Sequence, residues 1–255
     1  SGILSIIKNG IYAKKHQGSI NHITGDAHYL LYFLKSKKTI VTVHDIMYYS
    51  YLSGFKKKIW KFLYISSLKR ASKVVFISEF AKEQVLNEIY LKPDQYCVIP
   101  NPVSTDFKYL QKDFCAAKPI ILHINGNLER KNLARTIKAL DKIPCHLRIV
   151  GKLSDNNTLL LQQSNVEYSN VFNLSNKEVV KEYENCDIVN FPSLFEGFGM
   201  PIIEGQAVGR PVLTSNILPM KSVAGEGAVL VNPESVESIK NGYIKIITNE
   251  NFRNN

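Results

Sequence analysis

The amino-acid sequence predicts an α/β fold with parallel sheets, and two features of its pattern support that prediction. Short apolar runs rich in β-branched residues recur along the chain, and each run is unbroken, as is typical of strands covered on both faces. Helical patterns separate these runs, which favours strand–helix units. The 255 residues are 45% hydrophobic and 21% charged, so the chain can bury one large core or two modest ones, which excludes a disordered tail.

The elements follow in order along the chain. The predicted strands are 39–43, 73–77, 96–99, 119–124, 147–150, 187–191, 211–213 and 228–231. The predicted helices are about 56–70, 78–90, 131–141, 154–163, 176–185, 200–208 and 233–247. Ser78 is well placed to cap the N-terminus of the second helix, because its hydroxyl can accept a bond from a first-turn N–H.

A domain boundary is predicted after the turn formed by Pro100, Asn101 and Pro102. The polar stretch 104–118 that follows has no clear periodicity, and strand 119–124 then begins. Residues 1–115 contain 17 Lys and Arg against 8 Asp and Glu, whereas residues 116–255 contain 15 against 14. The sequence therefore predicts two units, 1–103 and 116–255, joined by a linker, with a ligand cleft between them.

Compartment and metal content follow from residue spacing. The cysteines have no C-x-x-C spacing, which indicates buried free thiols in a reducing, cytoplasmic compartment. The six histidines and the acidic residues show no zinc-binding or D-x-D spacing, so no metal site is predicted. No apolar run approaches the ~20 residues that a membrane helix needs. The four cysteines are Cys97, Cys115, Cys145 and Cys186.

The segment from Pro192 to Glu204 is the strongest candidate for chemistry. A predicted strand enters a loop containing Gly197 and Gly199, and a helix begins near Pro201, where proline is favoured. Backbone N–H groups at such a helix start bind anions and suit a diphosphate. Glu204, one turn into the helix, could accept both hydroxyls of a ribose. Alternatively, Glu204 only complements the helix dipole, and Glu196 is a solvated loop residue.

Two further segments carry polar residues at strand ends. Gly126 to Asn132 opens a helix with adjacent Arg130 and Lys131, which can neutralise a diphosphate. A solvated basic helix start is the alternative, although positive charge there is locally unfavourable without an anion. His44 and Asp45 end strand 39–43 and suit proton or hydroxyl chemistry, or else a structural hydrogen bond.

Taken together, these segments resemble a retaining glycosyltransferase of family 4, whose GT-B architecture has two Rossmann-like domains with parallel sheets facing a cleft. The segments that carry the resemblance are 22–26, 42–45, 75–80, 98–102, 126–132, the E-x7-E block 196–204, 207–212 and 224–228.

The resemblance implies a role for each matching residue. Glu204 binds the nucleotide ribose, Glu196 lies near the transferred sugar, and His44 faces the anomeric centre. Lys131, with Arg130, holds the diphosphate. His44 and Glu196 are thus the implied catalytic residues, and the implied donor-binding residues are Glu204, Lys131, Arg130, Asn127, Gly126, Gly197, Phe198, Gly199 and Met200.

The chain also departs from the family pattern. Asn127 stands where an arginine is common, the basic loop is one residue shorter, and Ser222 replaces a common glutamate. The first strand with its glycine-rich loop, and the final helices that cross back to the first domain, have no counterpart here. The resemblance therefore implies an incomplete N-terminal domain in a chain truncated at both ends.

The expected activity is metal-independent, retaining transfer of a hexose from a nucleotide-diphosphate sugar, with no cofactor. The expected acceptor is a glycan or lipid-linked saccharide in envelope or surface polysaccharide synthesis. The alternatives are a GT-B sugar-nucleotide epimerase, a non-catalytic relative, or a nucleic-acid-binding module suggested only by the basic first half. No recognised nucleic-acid motif is present, so no nucleic-acid partner is expected.

Helix 56–70 bears on a further partner, an anionic membrane surface at the inner face of the membrane. It places Ile59, Phe62 and Leu63 among lysines, like an interfacial helix. An ordinary packed helix with a solvated face is the alternative.

Overall fold

The computed structural model describes residues 2–254, which form two units that divide after Asn101. Each unit contains one sheet, and every strand pairing in both sheets is parallel. The predicted α/β class is therefore confirmed. None of the helices within residues 2–254 has the length and apolarity needed to span a bilayer.

The first unit has a four-stranded sheet in the order β1-β2-β3-β4. Its strands are β1 (Asn21–Ile23), β2 (Thr39–Val43), β3 (Lys73–Phe76) and β4 (Tyr96–Val98). Its helices are α1 (Ile3–Lys15), α2 (Met47–Ser50), α3 (Gly54–Trp60) and α4 (Glu79–Leu86). Ser78 caps α4 as predicted, because its hydroxyl accepts the Ala81 N–H at 3.1 Å.

The predicted single helix 56–70 is wrong in detail, since the structure divides this segment into three. Helix α3 is followed by a π-helical turn (Lys61–Ile65) and a 3-10 turn (Ser66–Arg70). The rings of Trp60 and Tyr64 stack across this change, with centroids 4.8 Å apart, and they also contact Tyr49 and Tyr29. Apolar spacing in the sequence does not reveal such a change of helix type.

The second unit has a six-stranded sheet in the order β10-β9-β8-β5-β6-β7. Its strands are β5 (Ile120–Ile124), β6 (His146–Val150), β7 (Glu167–Val171), β8 (Ile188–Phe191), β9 (Val212–Ser215) and β10 (Ala228–Val231). Its helices are α5 (Leu133–Leu140), α6 (Asp155–Gln163), α7 (Asn176–Asn185), α8 (Met200–Val208), α9 (Met220–Ala224), α10 (Val236–Thr248) and α11 (Glu250–Asn254).

Helices cover both faces of this second sheet. One buried cluster includes Ile137 of α5, Leu161 of α6 and Tyr243 of α10. The other includes Tyr183 of α7 and Ile202 of α8. The central strands β8 and β9 are buried along their whole length. Their polar side chains, Asn190, Thr214 and Ser215, are buried as well and form hydrogen bonds.

Segment 104–118, predicted as a linker, differs from that prediction because it packs within the second unit. The Leu110 N–H donates to the Val208 carbonyl at 3.3 Å, and Lys112 forms an ion pair with the buried carboxylate of Asp187. Phe107 and Phe114 of the segment also pack against the two buried clusters of this unit. Periodicity did not reveal this packing, because the segment forms neither a helix nor a strand. The unit thus begins at Pro102.

The strand order of the second sheet contains a topological switch point between β5 and β8. From β5 the chain proceeds outward through β6 and β7, then returns to the other side of β5 and proceeds through β8, β9 and β10. Ligands of open α/β sheets bind beyond the carboxyl ends of the strands at such a point. The two loops that lie there are 125–132 after β5 and 192–199 after β8.

All four cysteines are free, as predicted. Cys145 and Cys186 are buried and Cys97 is partly buried, but Cys115 is exposed, so the expectation of burial is wrong for Cys115. Cys115 lies in segment 104–118, which forms neither a helix nor a strand.

Candidate functional site

The loops after β5 and β8 are held together by direct hydrogen bonds. The Leu194 N–H donates to the Arg130 carbonyl at 2.7 Å. The buried side-chain amide of Asn132 donates to the carbonyls of Pro192, at 2.9 Å, and of Pro233, at 2.7 Å. Three loops at one edge of the sheet are therefore fixed relative to one another.

Asn132 achieves this from a left-handed backbone conformation, with φ 66° and ψ 30°. Asparagine tolerates this region better than most residues. Its Oδ1 accepts a hydrogen bond from Arg135 at 3.0 Å, so both ends of the side chain are engaged. Asn132 therefore ends the turn that carries Arg130 and Lys131 and anchors it to the loop after β8.

The predicted cations and the first predicted glutamate meet at this point. The Lys131 Nζ lies 2.7 Å from Oε1 of Glu196, and Nη1 of Arg130 lies 2.7 Å from the same oxygen. The Lys131 and Glu196 side chains are only 9% and 10% exposed. Arg130 also donates to the Phe195 carbonyl at 3.1 Å. The site thus carries two positive charges around one carboxylate.

The burial of Lys131 changes the pKa of its ammonium group. Desolvation lowers the pKa of its ammonium, while the Glu196 carboxylate acts in the opposite direction. The ammonium also lies 4.6 Å from the centroid of the Phe191 ring, where the ring face attracts a cation. Glu196 and Phe191 therefore support a positive charge in a largely dry position.

Glu204 lies on α8 and is within electrostatic range of the same lysine. Its Oε2 accepts the hydroxyl hydrogen bond of Tyr183 at 2.5 Å. Burial raises the pKa of Glu204, and the Tyr183 hydrogen bond and the Lys131 charge partly offset the rise. Because Glu204 is only partly buried, the carboxylate remains accessible to a ligand. Two carboxylates and one lysine therefore surround the switch point.

The start of α8 supplies backbone donors. Gly199 has φ 117°, and a Cβ there would lie 2.9 Å from Cδ1 of Ile202, so no other residue fits without strain. Pro201 occupies the first turn of the helix, as predicted. Phe198 is buried, whereas Gly197 and Met200 are partly exposed. Because α8 begins after the loop that follows β8, its first turn supplies backbone N–H groups of the kind that bind anions.

Gly126 and Asn127 lie in the loop after β5, three to five residues before Arg130 and Lys131. A Cβ on Gly126 would come 2.8 Å from the Leu153 side chain, so close packing requires this glycine. Exposed Asn127 lines a groove of about 530 Å³ at the carboxyl ends of β5, β6 and β7. The groove is lined by Ile124, Asn125, Asn127, Leu128, Val150, Gly151, Lys152, Phe172 and Asn173.

His44, the other predicted catalytic residue, lies in the first unit. It follows β2 directly, is partly exposed, and its Nε2 lies 2.8 Å from the Thr24 carbonyl oxygen. This hydrogen bond fixes the orientation of the imidazole ring. A structural hydrogen bond of this kind is the alternative role that the sequence allows for His44. Asp45 accepts the Met47 N–H at 2.9 Å and so begins α2.

A larger cavity, about 1240 Å³, lies elsewhere in the second unit. Its lining includes Asp187 and Pro211, which directly precede β8 and β9. This cavity is therefore at the amino ends of the strands. Because ligands of open α/β sheets bind at the carboxyl ends, we assign the functional site to the switch point rather than to the larger cavity.

Sequence reasoning missed Tyr183 and assigned no role to Asn132. Tyr183 is fully buried on α7 and lies 21 residues before Glu204, so no local spacing links the two. Asn132 had one available signal, an asparagine at the junction of a basic turn and a helix. Within residues 2–254, no group of three or more His, Cys, Asp or Glu side chains is placed to hold a metal ion.

Comparison with known families matches nearly the whole chain. A family model described as "Glycosyl transferases group 1" matches residues 110–255, and one described as "Glycosyltransferase Family 4" matches residues 15–107. The chain is 28% identical over 207 residues to the O-antigen chain mannosyltransferase RfbU of Salmonella typhimurium. That match covers 78% of this chain but only 58% of the relative's length.

Solved structures establish the fold. The sucrose-phosphate synthase of Thermosynechococcus elongatus superposes with a TM-score of 0.78 at 20% identity, over 98% of this chain and 71% of that one. HepE of Anabaena, in complex with UDP and glucose, superposes with a TM-score of 0.73 at 14% identity, over 99% of this chain and 75% of HepE. The predicted GT-B-type fold with two Rossmann-like units is confirmed.

Proposed function

Because the chain belongs to the glycosyl transferases group 1 family, we propose that the protein transfers a hexose from a nucleotide-diphosphate sugar with retention of anomeric configuration. The observation that carries the proposal is the cluster at the switch point, where Arg130 and Lys131 both contact Glu196 and where Glu204 lies within range of the Lys131 charge. This set of charges matches the separate chemical parts of such a donor.

The diphosphate would bind Lys131, Arg130 and the first turn of α8. Sugar transfer requires stabilisation of a departing nucleoside diphosphate, and fixed cations and helix N–H groups supply it at little reorganisation cost. The two loops are already held in place by Asn132 and Leu194. Since these groups provide the positive charge, the scheme requires neither a metal ion nor a cofactor.

The nucleoside would bind Glu204 and the groove that Asn127 lines. A carboxylate can accept two hydroxyls of a ribose, and Tyr183 holds Glu204 in position through the opposite oxygen. The groove beside Asn127, about 530 Å³, has the size of a small-molecule site and offers the Phe172 ring for a nucleotide base.

Glu196 and His44 would act nearest the reacting sugar. Glu196 lies between the two cations, where it can accept sugar hydroxyls as the phosphate takes over the cations. The family resemblance assigns the second catalytic role to His44. In this scheme the acceptor hydroxyl attacks from the face that the phosphate leaves, and the leaving phosphate accepts its proton.

The acceptor would be a glycan or lipid-linked saccharide used in surface polysaccharide synthesis. Support comes from the relative named as an O-antigen chain mannosyltransferase, and mannose is therefore the first sugar to test. A cytoplasmic protein, peripheral at the inner face of the membrane, would meet such an acceptor.

The decisive experiment measures donor binding by calorimetry with a panel of UDP and GDP sugars. Loss of two hydrogen bonds to a charged group predicts about a hundredfold weaker binding for Glu204→Ala. Glu237→Ala, which removes an exposed acid from the first turn of α10, is the matched control and should bind normally. Unchanged affinity in Glu204→Ala would show that the ribose assignment is wrong.

Product analysis then separates the alternatives. With a saccharide acceptor, NMR of the product should show the same anomeric configuration as the donor. Conversion of the donor in the absence of any acceptor would instead indicate an epimerase. Inversion would contradict the retaining mechanism while leaving donor binding intact.

A further inference from the structure

One surface of the first unit exposes an unusual number of large apolar side chains. Five of them lie between residues 48 and 62. Their exposed fractions are 59% for Tyr48, 70% for Tyr51, 76% for Phe55, 42% for Ile59 and 58% for Phe62. We call these five residues, together with Lys56 and Lys58, the basic aromatic surface.

Two of the apolar members lie on one face of α3. Phe55 and Ile59 are spaced by four residues, which aligns their side chains along one side of the helix, and exposed Phe62 follows in the π-helical turn. The opposite side of the helix is already packed, because Trp60 stacks on the Tyr49 and Tyr64 rings. The outward stripe is therefore additional to the residues that hold the helix to its unit.

The lysines of this segment also form two groups, one in contact with other side chains of the unit and one exposed. Lys57 lies over the Tyr49 ring at 4.4 Å, and Lys61 pairs with Glu88 at 2.7 Å, so both are used internally. Lys56 and Lys58 are exposed and follow Phe55 on either side of the stripe. The outward stripe is thus bordered by two cations that project into solvent.

Positive charge continues beyond the helix. Residues 48–70 contain six Lys and Arg and no Asp or Glu. At the far end, the Phe62 ring stacks on Tyr32 with centroids 5.1 Å apart, and the Arg70 guanidinium lies 5.7 Å from the Tyr32 centroid. The aromatic stripe therefore lies within a continuous positive field.

We propose that the basic aromatic surface docks the protein on an anionic lipid bilayer. Apolar and aromatic side chains of an interfacial helix enter the boundary between headgroups and acyl chains, and flanking lysines bind anionic headgroups. The charge of the surface is complementary to such a bilayer, and the stripe supplies the apolar area that electrostatic attraction alone lacks. Docking does not depend on the transferase site, although it would bring that site to a lipid-linked acceptor.

The test is co-sedimentation of the chain with vesicles. We expect binding to mixed phosphatidylcholine and phosphatidylglycerol vesicles and little binding to phosphatidylcholine alone. Phe55→Ser combined with Phe62→Ser should weaken binding about a hundredfold, since each lost ring contributes roughly tenfold. Tyr90→Ser removes an equally exposed ring, 74% exposed, outside this surface and should leave binding unchanged.

A second pair of variants tests the charge. Lys56→Glu combined with Lys58→Glu should weaken binding by roughly thirtyfold or more, because each cation near an anionic surface contributes several-fold. Lys177→Glu combined with Lys181→Glu makes the same charge change on exposed residues of α7 and serves as control. Thermal unfolding checks that every variant is folded.

Three results would overturn the proposal. Equal binding of the surface variants and their controls would show that the surface is not the contact. Concentration-dependent dimers that the Phe variants abolish, without vesicle binding, would assign the surface to a second copy. Salt-sensitive binding to RNA or DNA, without vesicle binding, would assign it to nucleic acid. Vesicle binding needs no donor, so failure here and failure of the transferase proposal are separable.

Discussion

Replacement of Glu196 by Gln should expose how the anion site is stabilised without a ligand. In the structure, one carboxylate oxygen of Glu196 contacts both Lys131 and Arg130 at 2.7 Å. Glutamine keeps the shape and removes the charge. Lys131, whose side chain is only 9% exposed, then loses its ion pair and retains the electrostatic attraction of Glu204, whereas Arg130, at 29% exposed, can turn toward water.

The expected loss of unfolding free energy at pH 7 is about 3 kcal/mol, the lower end for breaking a buried ion pair, because only the lysine stays buried. This loss should shrink as the pH rises. Burial holds the pKa of Lys131 below its ordinary value, and removal of Glu196 lowers it further. Between that lowered pKa and about 10.4, the unfolded chain binds more protons than the folded one, so stability rises with pH.

The measurement is urea unfolding of Glu196→Gln and wild type at neutral and alkaline pH, followed by circular dichroism. Trp60, the only tryptophan in the sequence, lies in the first unit, so its fluorescence supplies an internal control that should not change. Adding Lys131→Met to Glu196→Gln should restore much of the lost stability. A loss that is independent of pH, or a double variant less stable than the single one, would refute the reasoning.

Three other outcomes are expected. Tyr183→Phe should lower the free energy of unfolding by about 1 kcal/mol. Because it removes a hydrogen bond that lowers the pKa of Glu204, the pH below which donor binding is lost should move to a higher value. An unchanged pH for that loss would contradict the contact. Asn132→Ala should lower the free energy of unfolding by about 3 kcal/mol. Asn132→Gly should lower it by about 1 kcal/mol less, since glycine adopts the left-handed backbone conformation without strain. Equal losses in the two variants would exclude a contribution from that strain. Burial lowers the pKa of His123 to about 3, so the unfolded state alone gains its proton below about pH 6.5, and stability should fall by about 2 kcal/mol between pH 7 and pH 5. His123→Asn should lose that part of the pH slope in urea unfolding, and an unchanged slope would contradict it.

Much of the fold could be predicted from the sequence, because buried parallel strands have largely apolar sequences. All eight predicted strands overlap observed ones. The two missed strands lack that signal, since β1 has three residues and β7, with the sequence EYSNV, is an edge strand that is never fully buried. Helix α1 was also missed, because its side chains Ile3, Leu4 and Ile7 are exposed rather than segregated toward a core.

The candidate site was predictable to the extent that it follows from topology. Carboxyl ends of adjacent parallel strands share one edge of the sheet, so loops 125–132 and 192–199 were bound to meet if β5 and β8 were neighbours. The pairings within the site were not predictable. Tyr183 reaches Glu204 because α7 and α8 pack on the same face, and the sequence does not state which helices share a face.

The site combines a carboxylate with cations that would bind phosphate, and the physical chemistry explains why both are present. Buried Lys131 and half-buried Arg130 would repel each other without Glu196, and an unpaired buried ammonium is strongly unfavourable. Glu196 therefore keeps the cations charged and oriented before a donor arrives. A diphosphate carries more negative charge than one carboxylate, so it can displace Glu196 from the cations. The released carboxylate would then lie beside the sugar attached to that diphosphate, so that the same residue stabilises the empty site and contacts the substrate in the filled one.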